Sequence, residues 1–130
     1  MGFIPMKNED GALAPYEYLP CSAITPKIGM ALTQTNGNLA IASGTTVPTY
    51  ISMIECGAAV EAGTLIPVIR VDKGTIYETV LSAAGTSLKL GNKVTIAADG
   101  LRATATTTDG VAEIVAMDGT ATGSKVRVRF

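Results

Sequence analysis

The stretch MALTQTNGNLAIA, residues 30–42, decides the fold class. Two short alternating runs, 30–35 and 39–42, flank the turn sequence Asn36-Gly37-Asn38. An Asn-Gly dipeptide between alternating runs is the strongest short-range signature of a β-hairpin. The stretch therefore predicts two antiparallel strands whose alternate residues face a core.

The same pattern recurs three times further along the chain. The predicted hairpins join 65–71 to 75–80, 93–97 to 101–106, and 111–117 to 124–130. Each has a glycine in its turn, where a positive φ is tolerated. In addition, four segments place a glycine two or three residues before an alternating strand: PKIGMAL, VEAGTLIPV, LKLGNKVTI and TATGSKVRV. This weak repeat predicts that the same type of turn occurs four times, each time with a glycine in the left-handed region shortly before a strand.

Composition agrees with an all-β domain. The chain has 130 residues, of which 47% are hydrophobic and 16% charged, with 14 glycines and 6 prolines. This is enough for one folded core, and the glycines together with abundant Thr, Val and Ile favour short strands and tight turns. The segment 55–63 is the single candidate for a short helical turn. We expect a small barrel or sandwich of short hairpins over residues 27–130.

Residues 1–26 predict an extended N-terminal arm, because prolines at positions 5, 15, 20 and 26 exclude a regular helix. The arm is rich in apolar and aromatic residues that it cannot bury within itself. Two interpretations follow: the arm covers an open edge of its own domain, or its first dozen residues add a strand to a partner's sheet. The candidate contact residues are Phe3, Ile4, Pro5, Met6, Tyr16 and Tyr18.

The chain has no histidine and no tryptophan. It therefore lacks the Ser-His and Cys-His nucleophile systems and the commonest metal ligand. Asp99, Asp109 and Asp118 each precede a glycine, as in ordinary β-turns, and Glu55 and Glu61 are expected in a solvated loop. No phosphate-binding glycine loop is present. We expect no catalytic activity, no cofactor and no bound metal.

The net charge of −1 gives no field that would attract nucleic acid. No apolar run is long enough to cross a bilayer, so the protein is expected to be made and kept in a cytosol or in a particle assembled there. Cys21 and Cys56 lie outside any CxxC motif, which favours reduced thiols over a disulfide. In the last strand Lys125, Arg127 and Arg129 share one face, either as a solvated face or as a stripe that meets an acidic partner.

The order of these features resembles the lambda-type head decoration proteins of bacteriophages and related small capsid-stabilising proteins. The resemblance is carried by residues 28–32, 38–46, the turn at 58–63 and the predicted hairpin at 64–77. It covers the middle half of the chain. The tail from Gly85 to Phe130 departs from the lambda-type pattern by its greater length and its regular hairpins.

The resemblance implies a β-tulip-like domain, a homotrimer and an N-terminal arm that binds the major capsid protein. It implies a virion structural protein on the outer surface of the capsid, made in the cytoplasm of the bacterial host. Three alternatives remain open: another phage component such as a head fibre base, tail or minor coat protein; a lipoyl- or biotinyl-type carrier module with Lys73 at a hairpin tip; and a carboxylate-only hydrolase.

Overall fold

A computed structural model describes residues 2–7 and 15–130. It consists of two antiparallel five-stranded sheets. The strands are β1 (Ile4–Lys7), β2 (Glu17–Pro20), β3 (Ala31–Thr35), β4 (Asn38–Ile41), β5 (Tyr50–Ser52), β6 (Leu65–Arg70), β7 (Ile76–Val80), β8 (Lys93–Val94), β9 (Ala112–Met117) and β10 (Lys125–Arg129). The first sheet has the order β1-β7-β10-β9-β8, and the second has the order β2-β6-β5-β3-β4. The predicted all-β fold is confirmed as an open sandwich rather than a closed barrel.

The main core lies between the two sheets. Alternation places Tyr77, Ile114 and Val128 of the first sheet on the inner face, where they meet Ile51 and Ile69 of the second sheet. All five side chains are buried. This packing fixes the outward direction of the intervening residues of β7, β9 and β10.

A second core lies on the opposite face of the second sheet. It contains Cys21, Met30, Leu32, Leu39, Tyr50, Ile66 and Val68, with Ile24, Ile54 and Val60 packed against it. The segments that follow β2 and β5 cover this face: the amide of Ser22 donates to the Leu39 carbonyl, and the amide of Val60 donates to the Ile24 carbonyl. Of the proline-rich stretch 15–29, residues 17–20 are therefore a strand of the second sheet, and the residues that follow them help to cover a sheet that is buried on both sides.

Two of the four predicted hairpins form as expected. β3 and β4 pair around Asn36 and Gly37, whose φ values are 52° and 82°. β9 and β10 pair with a longer loop between them. The third prediction is right in part, because Ile96 pairs with Ala103 while Lys93 and Val94 pair with β9 instead.

The hairpin predicted for 65–80 is wrong. β6 pairs with β2 and β5, whereas β7 pairs with β1 and β10 in the other sheet. The turn at 71–75 is therefore a crossover between the two sheets. The sequence of these strands has the alternation and the glycine turn of a hairpin. Alternation, however, only requires that one face of each strand packs against a core. In a sandwich, two strands of different sheets can each pack one face against the same core without pairing with each other.

The glycine repeat predicted from the sequence is confirmed as a structural unit. Gly29, Gly63, Gly91 and Gly123 have φ values of 82°, 90°, 91° and 86°. In each case the next residue donates a backbone hydrogen bond to the residue three positions earlier, which closes a β-turn, and the glycine amide donates to a neighbouring strand or its extension at 2.8 Å. The segment 55–63 forms bends and turns, and the described residues contain no helix.

Candidate interaction surface

The first part of the predicted arm lies on the chain's own domain. β1 pairs with β7, and the amide of Phe3 donates to the Gly29 carbonyl at 2.7 Å. Phe3 is completely buried, with its ring 5.4 Å from the ring of Phe130. Phe3 is thus a core residue in this structure, and its side chain is not available to a partner.

The other three candidate residues of this segment are more accessible. Ile4 and Pro5 are half-buried, and Met6 is 47% exposed. The register shifts between Pro5 and Lys7, so Met6 is the extra residue of a β-bulge. Among these residues Met6 offers the most surface to a partner.

The second part of the predicted arm forms the outer strand of the second sheet. Tyr16 and Tyr18 are 57% and 64% exposed, and Leu65 on the adjacent strand β6 is 61% exposed. Tyr18 lies opposite Pro67, and Pro20 lies opposite Leu65. Because residues two apart on a strand share a face, these side chains form one apolar patch, which we call the β2 patch.

The backbone of β2 is directed outward at the same place. Cys21 exchanges backbone hydrogen bonds with Gly63 and Thr64 on the side of β6. Because backbone groups alternate in direction along a strand, those of every second residue before Cys21 also point to β6. Tyr18 lies between two residues whose backbone groups point to β6. Pro67 lies opposite Tyr18, and the carbonyl of Pro67 accepts a hydrogen bond from Met53 on the far side of β6. The amide and carbonyl of Tyr18 therefore point away from β6. The same edge of β2 is bridged to β4 at its far end, where Cys21 pairs with Leu39, so the part of the edge that can accept another strand lies around Tyr18.

The basic stripe on β10 has intramolecular partners. Alternation exposes Lys125, Arg127 and Arg129 as predicted. Glu78 on β7 lies 3.3 Å from Nε of Arg127 and 3.9 Å from Nζ of Lys125, and Glu113 on β9 lies 2.7 Å from Nη2 of Arg129. The sequence could not indicate these carboxylates, because their proximity depends on which strands flank β10.

Glu55 is also more organised than the solvated loop predicted for it. Its Oε1 accepts a hydrogen bond from the Ile28 amide at 3.0 Å, and its Oε2 lies 3.1 Å from Nζ of Lys27. The backbone hydrogen bond and then the lysine lower the pKa of the Glu55 carboxyl. The pairing ties the loop after β5 to the turn before β3, which is a structural role.

Lys73 does not occupy a hairpin tip. It lies exposed in the crossover between β6 and β7, beside an open hollow of about 280 Å³ that Val47, Arg70 and Phe130 help to line. A carrier module presents its lysine on a hairpin between paired strands. The hairpin-tip position predicted for Lys73 is therefore wrong.

The turn aspartates and the two cysteines complete the set of residues singled out in the sequence. Asp99 accepts a hydrogen bond from the amide of Leu101 and one from Arg102, as expected for a turn aspartate. Cys21 and Cys56 are free thiols, of which Cys21 is buried and has a raised pKa because of that burial. Among residues 2–7 and 15–130, no group of three or more His, Cys, Asp or Glu side chains is placed to hold a metal ion. The described part of the chain also has no helix that could span a membrane.

Comparison with known proteins gives no relative. No protein-family model, curated protein or solved structure matches the chain.

Proposed function

We propose that the chain is a non-catalytic structural protein of a phage particle, which binds the major capsid protein from outside and stabilises the capsid as a homotrimer. The observation that carries the proposal is the β2 patch, where exposed tyrosines and outward-facing backbone groups coincide. The resemblance of residues 28–32, 38–46 and 58–77 to phage head decoration proteins supplies the class of partner.

Strand addition at β2 would use two kinds of interaction. Backbone hydrogen bonds to Tyr18 would hold an extended segment of the capsid protein, and the side chains of Tyr16, Tyr18 and Leu65 would bury apolar surface against it. Tyrosine is favoured at interfaces because it contributes a large contact area with only two rotatable bonds. Many such contacts around a particle act together, so a modest interface on each copy is sufficient.

The proposal is tested by co-sedimentation with expanded heads assembled from the major capsid protein of the same phage. The variant Y16S/Y18S should lose binding by at least roughly tenfold, because tyrosines at an interface are frequent hot spots. The matched control is Leu90→Ser, which removes an apolar side chain that is 64% exposed and lies outside the β2 patch. Both variants should unfold at the denaturant concentration of the wild type.

Light scattering provides the second readout. The proposal expects a mass of three chains, either in solution or for the protein released from decorated heads. A chain that stays monomeric and does not sediment with heads would overturn the proposal. Equal decoration by wild type and Y16S/Y18S would show that the β2 patch is not the contact.

A further inference from the structure

A hollow of about 350 Å³ lies on the outer face of the first sheet, away from the β2 patch. Its lining consists of Met6, Ile76, Val115, Ala116 and Arg127. Four of these five side chains are apolar, although this face of the sheet is directed to solvent. The hollow is therefore a place where an apolar group could be received on an otherwise polar surface.

Two β-bulges build the hollow, one on each side. Met6 is the extra residue of β1 against β7, and Val115 is the extra residue of β9 against β10, because Arg127 pairs with Ala116 while Val128 pairs with Ile114. A bulge redirects side chains locally and is usually a retained feature of a fold. Here both bulges bring apolar side chains to the outer surface beside Arg127.

The rim of the hollow has an excess of positive charge. Among the described residues, the outer face of this sheet carries the cations Lys93, Lys125, Arg127 and Arg129 and the carboxylates Glu78, Glu113 and Asp118, the last of which lies opposite Lys125 at the end of the ladder. Four cations against three carboxylates leave one positive charge among these residues, while the whole chain has a net charge of −1. The guanidinium of Arg127 makes one hydrogen bond within the described residues, from Nε to Glu78.

We propose that this face binds an extended acidic segment of a partner protein, with one apolar side chain of the segment in the hollow and its carboxylates on Arg127 and the neighbouring cations. A carboxylate suits the planar guanidinium, which can donate two parallel hydrogen bonds. Nucleic acid fits less well, because Glu78 and Glu113 interrupt the row of cations and the hollow is apolar. The inference is independent of the proposed capsid function, since it concerns a different sheet and is tested on the isolated protein.

The test uses the methyl group of Met6 as a reporter in NMR of protein labelled at its methionine methyl groups. The probe is the blocked pentapeptide Asp-Glu-Leu-Glu-Asp, and the control peptides are Asp-Glu-Ala-Glu-Asp and Lys-Lys-Leu-Lys-Lys. The Met6 signal should shift and saturate with the acidic leucine peptide. The alanine peptide should bind several-fold more weakly, and the basic peptide should leave the Met6 signal unchanged. The signal of the buried Met30 should not shift with any of the three peptides.

Two variants of one ion pair should change the affinity in opposite directions. Arg127→Gln removes the donor and should weaken binding by roughly tenfold, whereas Glu78→Gln frees Arg127 and Lys125 and should strengthen it by a few-fold. The matched controls are Arg102→Gln and Asp99→Asn, which break a comparable ion pair of 3.0 Å in the loop between β8 and β9 and should have no effect.

Absence of a saturable Met6 shift at millimolar peptide would overturn the inference. Equal binding of the basic peptide, or an affinity that Arg127→Gln and Glu78→Gln leave unchanged, would do the same. A Met6 shift that depends on protein concentration without peptide would identify a second copy of the chain as the occupant and would contradict the acidic segment.

Discussion

The hydroxyl group of Tyr77 is a polar atom in an apolar setting. Tyr77 is fully buried, its ring lies 5.5 Å from the ring of Phe130, and within the described residues its hydroxyl has no hydrogen-bond partner. The nearby hydroxyl of Thr75 donates to Asp72 instead, at 2.6 Å. Burial, with a contribution from the Asp72 carboxylate, raises the pKa of Tyr77 to about 12. A buried hydroxyl without a partner costs stability, since it gives up its hydrogen bonds to water.

Replacement of Tyr77 by phenylalanine should therefore not destabilise the protein. At neutral pH the free energy of unfolding should be unchanged or higher by up to about 2 kcal/mol, because the unpaired hydroxyl is removed while the ring remains. The measurement is urea unfolding followed by circular dichroism. A loss of more than about 1 kcal/mol would mean that the hydroxyl has a partner in solution.

The same variant tests the shifted pKa. The folded pKa of Tyr77 is about 12 and the ordinary value is 10.0, so the folded state holds this proton more tightly than the unfolded state. The contribution of this pKa difference to the free energy of unfolding is fully present below pH 10. As the pH rises toward 12, the free energy of unfolding falls by roughly 2–3 kcal/mol. The wild type should lose this amount relative to Tyr77→Phe in that range, and parallel curves for the two proteins would contradict the assignment.

The same type of glycine turn precedes four different strands. The turns at Gly29 and Gly63 lead into β3 and β6 of the second sheet, and those at Gly91 and Gly123 lead into β8 and β10 of the first. In each, the left-handed glycine aligns the chain with a neighbouring strand or its extension through its own amide. Gly29 has an additional role, because the backbone of Gly2 and Phe3 crosses directly over it.

Alanine substitution should separate these two roles. A Cβ on Gly123 has nothing within 4 Å, so Gly123→Ala should cost only the positive φ, about 1–2 kcal/mol. A Cβ on Gly29 would lie 2.6 Å from backbone atoms of Gly2 and Phe3, so Gly29→Ala should cost at least about 2 kcal/mol more. The two free energies of unfolding, compared by urea denaturation, decide the point, and equal values would show that the crossing at Gly29 is loose.

The elements of this fold were readable from the sequence where the signal was local. The Asn36-Gly37 hairpin and the left-handed glycines depend on backbone preferences of single residues, which is why the sequence predicted them correctly. The separation of β6 from β7 was not readable, because the crossover at 71–75 has the residues of a hairpin turn. The exposed tyrosines of β2 were predicted as contact residues. The hollow at Met6 and Val115 was not predicted, because it depends on two bulges and the alternation of apolar residues does not show where a bulge occurs.

At the scale of the whole molecule, the N-terminal segment contributes a strand to each sheet. β1 is the outer strand of the first sheet, and β2 is the outer strand of the second. The sequence suggested two roles for this segment, covering its own domain or binding a partner. In this structure β1 covers the domain, whereas the exposed side chains of Tyr16 and Tyr18 leave β2 open to a partner. Stability and the binding proposed for the β2 patch would therefore depend on different parts of the same segment.

Deletion of residues 2–7 should consequently damage the fold itself. It would remove the buried Phe3 ring and expose the edge of β7 that pairs with Ile4 and Pro5. Truncating a buried phenylalanine alone costs about 3–5 kcal/mol, which is much of the stability of a small domain. The deletion variant should unfold at a far lower urea concentration than the wild type or lose its cooperative transition.

Phe3→Ala in the full-length chain isolates the core contribution from that of strand pairing. It should fall between the wild type and the deletion variant in urea denaturation, whereas Met6→Ala, which truncates an exposed side chain of the same strand, should lie within about 0.5 kcal/mol of the wild type. An unchanged unfolding curve for the deletion variant would mean that β1 leaves its own sheet in solution. The first residues would then be free to reach a partner's sheet, as the sequence alone also allowed.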